Sequence, residues 1–294
     1  MTGLKHHRLS PGAFSLALLL ALLWAGNPIS IKIGLADCPP LRLGWMRFVL
    51  GAIVVLTFAL ARRQSLRVHR GELAALLSVG FLFTSQLAFL NLGQDRTSAG
   101  HAVVIMSTHP IWVAILAHFV VPGDRLSRPR VVGAAFAYLG VLVVLSASLR
   151  GPGPYSIAGD GMLICSALLL AVRQIVLSQS LQGVGIPKLL LSQAALGTFC
   201  FVIASRLFEA EPTHYTTSLG VALFYQGVII AGFVFILHAW LLKRFLPSRV
   251  TMVFLIQPIF GVALSAIVLG EPIGPELLAG APLVAAGSYL VQRS

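Results

Sequence analysis

Residues 98–124 read SAGHAVVIMSTHPIWVAILAHFVVPGD, and residues 248–271 read SRVTMVFLIQPIFGVALSAIVLGE. Each is an apolar run with a polar residue and then a proline near its middle, His109-Pro110 in the first and Gln257-Pro258 in the second. A carboxylate closes each run: Asp124 follows Pro110 by fourteen residues and Glu271 follows Pro258 by thirteen. The likeness continues into VGAAFAYLGVLVV (132–144) and AGAPLVAAGSYLV (279–291), where Gly133 and Gly140 match Gly280 and Gly287 at one interval. Self-similarity of this kind marks a duplicated unit, here residues 1–150 and 151–294.

Composition says what the unit is made for. With 57% hydrophobic residues, 10% charged residues and a mean hydropathy of +0.90, the chain lacks the polar surface a water-soluble protein needs. It reads as an all-α integral membrane protein. The net charge of +12 does not point to nucleic acid, because the basic residues sit in short clusters between apolar runs. Cys38, Cys165 and Cys200 are an odd number, far apart and without metal-ligand spacing, so neither a disulfide framework nor a metal site is indicated. No cofactor motif is present. The opening segment, with Lys5 and Arg8 before Phe14 to Trp24, has the look of a signal peptide, but equally apolar segments follow it. It is read as the first span.

Runs long enough to cross the ~30 Å hydrocarbon core lie at 13–35, 42–61, 72–92, 99–121, 131–149, 160–181, 188–208, 218–242, 249–269 and 276–292, which predicts ten transmembrane helices. Fourteen Lys and Arg then fall on the side of the termini and only four, Arg42, Arg96, Arg150 and Arg206, on the other. By the positive-inside rule both termini are cytoplasmic. Five helices per copy is an odd number, so the second five-helix repeat starts on the opposite side and the two are inverted. Inverted repeats are the usual construction of secondary transporters, whose pseudo-equivalent halves open a midplane site to either side in turn.

Several short pieces now fall into a familiar order: Leu23-Trp24-Ala25-Gly26-Asn27 with Lys32, Arg47-Phe48, Thr97-Ser98-Ala99-Gly100 through Pro110 to Gly123-Asp124-Arg125-Leu126, and Gln257-Pro258 to Gly270-Glu271-Pro272. Over nearly the whole chain this resembles the ten-helix EamA-type carriers of the drug/metabolite transporter superfamily. The resemblance implies a proton- or gradient-linked carrier in a bacterial-type inner membrane. It would often be an exporter of amino acids or related metabolites, with a central cavity lined by both halves. The chain departs from the pattern in having Asp124 for a glutamate, with one extra residue before it, and Gln257 where an acid often precedes the proline.

The residues themselves supply candidates. Pro28 lacks an N–H and clashes with the preceding turn, so Gly26-Asn27-Pro28 breaks the first span and frees a carbonyl. At such a break Asn27 offers a donor and an acceptor to a ligand, or bonds a neighbouring backbone. Pro110 and Pro258 are symmetric kinks and candidate hinges, and Gln257 is a further candidate contact. On a continuous helix His101, Thr108 and Trp112 fall within about 40° of arc, with His109 about 80° to one side. Such a face could stack on and orient a small polar solute. Arg173 lies mid-span with Ser166 seven residues earlier, and all nine acids lie in loops or at helix ends. Its permanent charge must meet an anionic group of the solute or the carbonyls of broken helices. Lys32 and Arg47 read as interfacial anchors or ion-pair partners, His118 and His238 as histidines making one interhelical bond each, and Tyr225 with Gln226 as cavity residues. With no midplane carboxylate, His101 and His109 are the groups placed to couple a proton.

The function expected is therefore a secondary transporter of a small polar metabolite, its partners a small-molecule solute and the lipid bilayer, as a monomer or homodimer. An integral-membrane enzyme is the principal rival, but neither paired membrane-level carboxylates nor a Ser/His/Asp set is present. A non-transporting scaffold would not require inverted repeats, and no charged ring or filter of a channel is seen.

Overall fold

In a computed structural model, residues 10–121, 128–148, 156–251, 253–254 and 257–292 are described. Asp124 and the carboxylate end of the first copy lie outside them. Among the described residues the regular structure is entirely helical. The elements are α1 (Pro11–Ala25), α2 (Asn27–Leu35), α3 (Pro40–Ala61), a 3-10 turn (Arg70–Glu72), α4 (Leu73–Asp95), α5 (Ala99–Met106), α6 (His109–Val120), α7 (Arg128–Ser148) and α8 (Ile157–Ser180). There follow α9 (Ile186–Phe208), α10 (Thr217–Leu223), a π-helical stretch (Phe224–Val234), α11 (Phe235–Arg244), α12 (Pro247–Thr251), α13 (Gln257–Leu269) and α14 (Pro275–Gln292). Seven helical segments are long and apolar enough to cross a membrane, and Val131–Gly140 and Phe260–Leu269 are shorter apolar helices.

Polarity is arranged for lipid. Apolar side chains such as Phe81, Phe199 and Ile267 are exposed, while Arg47, Gln86, Asn91, Arg173, Gln174 and Gln193 are buried. A chain in water would place these groups the other way round. The interior is knitted by aromatic rings: Phe48 lies 5.0 Å from Phe83 and 5.2 Å from Phe201, and Trp24 meets Phe254 edge-on at 5.1 Å.

The two glycine-rich helices of the duplicated unit, α7 and α14, pack along one another. A Cβ at Gly140 would stand 2.7 Å from the carbonyl oxygen of Gly280 and 2.8 Å from the backbone of Val284. Because backbone rather than a flexible side chain blocks the space, only glycine permits this approach.

One end of the bundle is closed by polar contacts between segments far apart in sequence. Pro39, at the N-cap of α3, offers no capping side chain, and Glu209, beyond α9, supplies the cap. Its oxygens accept from the N–H groups of Leu41 (2.6 Å) and Arg42 (2.9 Å), where the helix dipole favours negative charge. Arg42 donates back to the Glu209 carbonyl (3.2 Å) and to Thr213 Oγ1 (3.0 Å), and Thr216 donates to Asp37. Glu271 does the same for α5, accepting from Ala99 N (2.9 Å) and Gly100 N (3.0 Å). At the same end Lys32 donates to the carbonyls of Gln94 (3.1 Å) and Thr97 (2.9 Å). Lys32 is thus bound to the ends of broken backbone rather than to a carboxylate.

Two measurements check this packing. Gly140→Leu, which must drive α7 and α14 apart, should lower stability by about 1–3 kcal/mol. It should be seen as a lower unfolding midpoint in detergent, with Leu142→Val on the exposed face close to wild type. Cys38 is buried beside Thr213 (Sγ to Oγ1 3.7 Å), and burial pushes its thiol pKa up, leaving less of the reactive thiolate at neutral pH. With Cys165 and Cys200 replaced by Ser, N-ethylmaleimide should modify Cys38 several-fold more slowly in the folded than in the detergent-unfolded protein. Glu209→Gln should speed the reaction, and equal rates in folded and unfolded protein would show that this end is open.

Candidate functional site

Both proline breaks occur where the sequence places them, and each leaves carbonyls to be satisfied. A regular helix would donate the N–H of residue 110 to the Met106 carbonyl; proline cannot, and the His109 imidazole does so instead, Nδ1 to Met106 O 2.9 Å. Since a carbonyl only accepts, Nδ1 carries the proton and Nε2 of a neutral His109 is an acceptor. Ser107 and Thr108 turn their hydroxyls back onto the carbonyls of Val103 (2.6 Å) and Ile105 (2.7 Å). At the first break, the Leu23 carbonyl accepts from Tyr225 Oη (2.6 Å), and a Cβ at Gly26 would overlap that hydroxyl at 2.6 Å.

The breaks border a central cavity, part of it open to the exterior. Trp24, Asn27 and Pro28 line it from the first break and Met106, Ser107 and His109 from the second. Arg47 and Phe48 reach it from α3, Phe83 and Gln86 from α4, and Arg173 and Gln174 from α8. Gln226 of the π-helical stretch, Phe235 and Gln257 complete the polar and aromatic wall.

Arg173 is 2% exposed. Its Nη1 donates to Gln86 Oε1 (3.3 Å), and its guanidinium lies over the rings of Phe83 (4.9 Å) and Phe235 (5.4 Å). Ser166 reaches Arg173 indirectly. It accepts from Gln86 Nε2 (3.0 Å) and donates to the Gln86 carbonyl (2.9 Å), which turns the amide oxygen toward the guanidinium. Arg47 is not at the interface as an anchor would be. It is 4% exposed, and its long stem runs inward because Asn91 Oδ1 and Gln226 Oε1 (3.3 Å each) hold the head there. Four cavity atoms, Asn27 Oδ1, His109 Nε2, Arg173 Nε and Gln174 Oε1, are buried with no hydrogen-bond partner among the described residues.

The structure thus brings Asn27, His109, Arg173, Gln226 and Gln257 to one cavity and leaves His101, Thr108, Trp112 and Tyr225 outside its lining. His101, Thr108 and Trp112 do not form one cavity face, because the helix ends at Met106 and restarts at His109, so an angle counted on one continuous helix does not carry across. His101 instead pairs with Asp160, Nδ1 to Oδ2 3.2 Å, and Asp160, wholly buried, also accepts from Thr97 Oγ1 (2.9 Å). Trp112 meets Tyr138 edge-on at 5.1 Å, and Tyr225 is used by the Leu23 carbonyl. His238 stacks edge-on against Trp24 at 4.8 Å, and its Nε2 lacks a hydrogen-bond partner among the described residues. His118 lies beside Phe119. Gln86 and Gln174 were missed, although an amide in mid-span is itself a signal of a polar interior.

Comparison with known proteins agrees with this architecture. The model of the EamA-like transporter family matches the chain twice, over residues 12–146 and 157–293. A "Probable amino-acid metabolite efflux pump" of Salmonella typhimurium is 30% identical over 94% of this chain and 93% of its own length. An S-adenosylmethionine/S-adenosylhomocysteine transporter of Chlamydia trachomatis is 26% identical over 95% of this chain and 88% of its own. A solved crystal structure superposes with a TM-score of 0.74 at 20% identity, covering 97% of this chain and 98% of its own, and shares the fold. With its family model matched across both copies, its apolar helices and its polar interior, the chain belongs to the EamA-like transporter family and is a multi-pass membrane transporter.

Proposed function

We propose that the protein is a secondary carrier that binds a small polar metabolite bearing a carboxylate, an amino acid or a related compound, in the central cavity. Alternating access would carry it across a bacterial-type inner membrane, in the direction of export. The observation that carries this reading is the set of four buried, unpartnered polar atoms on residues that line one cavity. Buried polar groups are mostly hydrogen-bonded, and of the eight unpartnered atoms among the described residues four, a donor and three acceptors, belong to residues lining this cavity, which suits a solute. Arg173 takes the carboxylate, its Nε and remaining N–H groups forming a charge-assisted bond, and Asn27, Gln174 and Gln257 orient the remainder.

We read the two family matches as inverted five-helix repeats, residues 1–150 and 151–294, with ten spans and both termini cytoplasmic. The broken elements α1–α2 and α5–α6 serve as hinges at Pro28 and Pro110, and Pro258 in the first turn of α13 is the third hinge. The caps of α3 by Glu209 and of α5 by Glu271 join the two halves at one end, so these contacts must separate for that end to open. Proton coupling runs through His109, which lines the cavity, or through the His101–Asp160 pair beside the polar end. The names of the relatives, an amino-acid metabolite efflux pump and an S-adenosylmethionine/S-adenosylhomocysteine transporter, favour amino-acid chemistry and export over an enzyme or a scaffold.

The test is counterflow in proteoliposomes with labelled amino acids, nucleosides and sugars. Saturable uptake of a carboxylate-bearing class is expected, with Arg173→Gln raising the half-saturating concentration at least about tenfold, the worth of one charge-assisted bond. Unchanged affinity in a folded Arg173→Gln protein would remove Arg173 from the site, and no saturable uptake of any class would defeat the carrier reading.

A further inference from the structure

The second guanidinium narrows the substrate further. Arg47 and Arg173 both line the cavity, and among the described residues no Asp or Glu lines it with them. Each guanidinium is held by neutral amide oxygens that have been turned toward it. Gln226 commits its Nε2 to the Ser30 carbonyl (3.0 Å) and Asn91 its Nδ2 to the Pro40 carbonyl (2.9 Å), leaving both oxygens for Arg47. Gln86 does the same for Arg173 through Ser166. The amides position the two cations without neutralising them.

Two full charges in a poorly solvated interior need two counter-charges. A monocarboxylate would leave one cation unmatched. The unpartnered acceptors add a second requirement. Asn27 Oδ1, Gln174 Oε1 and the Nε2 of a neutral His109 call for donors on the same solute, and an ammonium group carries three. Phe48, Phe83 and Phe235 cover the flanks of the guanidiniums.

We infer that the cavity selects a solute with two anionic groups and a hydrogen-bond donor between them, the chemistry of an amino dicarboxylate or a phosphorylated amino acid. Arg47 holds one anionic group and Arg173 the other. This rests on the carrier reading and narrows its substrate class from carboxylates in general to net-negative solutes.

The experiment measures ligand-induced shifts of the unfolding midpoint of the purified full chain with L-glutamate, O-phospho-L-serine, succinate and L-leucine, beside counterflow of the same solutes. At least one of the two amino dianions should stabilise the protein most, succinate less and leucine least, because only a ligand bound to the folded state raises its midpoint. Arg47→Gln should weaken the preferred dianion about tenfold or more while changing leucine little, and Arg47→Lys should recover part of the loss. If Arg47→Gln does not fold, the wild-type ranking of the four solutes decides alone. Leucine binding as well as the dianions, no dianion binding at all, or a folded Arg47→Gln with unchanged dianion affinity would each overturn the inference. Saturable leucine exchange untouched by the dianions would overturn it while leaving the carrier intact. Dianion binding with no exchange of any solute would keep the two-arginine site and defeat the carrier reading instead.

Discussion

A backbone carbonyl without a donor is costly in an apolar medium, and that constraint organises the centre of this molecule. Pro28 and Pro110 each withdraw an N–H from the middle of an apolar run. The Met106 carbonyl left by Pro110 is met by the His109 imidazole; beside the breaks the Tyr225 hydroxyl joins the Gly26 N–H at the Leu23 carbonyl, and the hydroxyls of Ser107 and Thr108 join their backbone N–H groups at Val103 and Ile105. Each repair fixes a side chain that would otherwise rotate. The repair at Met106 fixes a tautomer as well, and leaves Nε2 of a neutral His109 as an acceptor without a partner among the described residues.

The same economy governs the cations. Among the described residues, neither Arg47 nor Arg173 is placed by a carboxylate. Asparagine and glutamine residues whose NH2 groups are spent on carbonyls or on Ser166 present their oxygens to the guanidiniums, and aromatic rings cover the flanks. Neutral dipoles hold a charge in position yet leave it able to attract a mobile anion. A buried ion pair would have fixed the arginines more firmly and quenched the site. The one deeply buried acid among the described residues, Asp160, is engaged with Thr97 and His101 away from the cavity lining.

Helix ends connect the cavity to the rest of the fold. Glu209 and Glu271 each cap a helix more than a hundred and sixty residues distant in sequence, using the partial positive charge of an N-terminus. Such contacts are strong enough to close an end and few enough to be exchanged for water. They lie at the end of the bundle where Lys32 gathers the carbonyls of Gln94 and Thr97, so the polar closure is continuous with the first helix break.

The sequence by itself determined the medium, the helical class, the duplicated plan and the positions of the proline breaks, since hydropathy, repetition and a missing N–H are properties of residues in order. Arg173 and Asn27 were legible for the same reason: a permanent charge or an amide in mid-span must find a polar interior. Only the tertiary structure decided what surrounds them. That Arg47 turns inward, that His101 meets Asp160, and that Gln86 and Gln174 stand beside Arg173 depend on which helices pack together. The shared face of His101, Thr108 and Trp112 fails because the helix ends at Met106 and restarts at His109 and so loses its phase, and only the packing then decides which side chains reach the cavity.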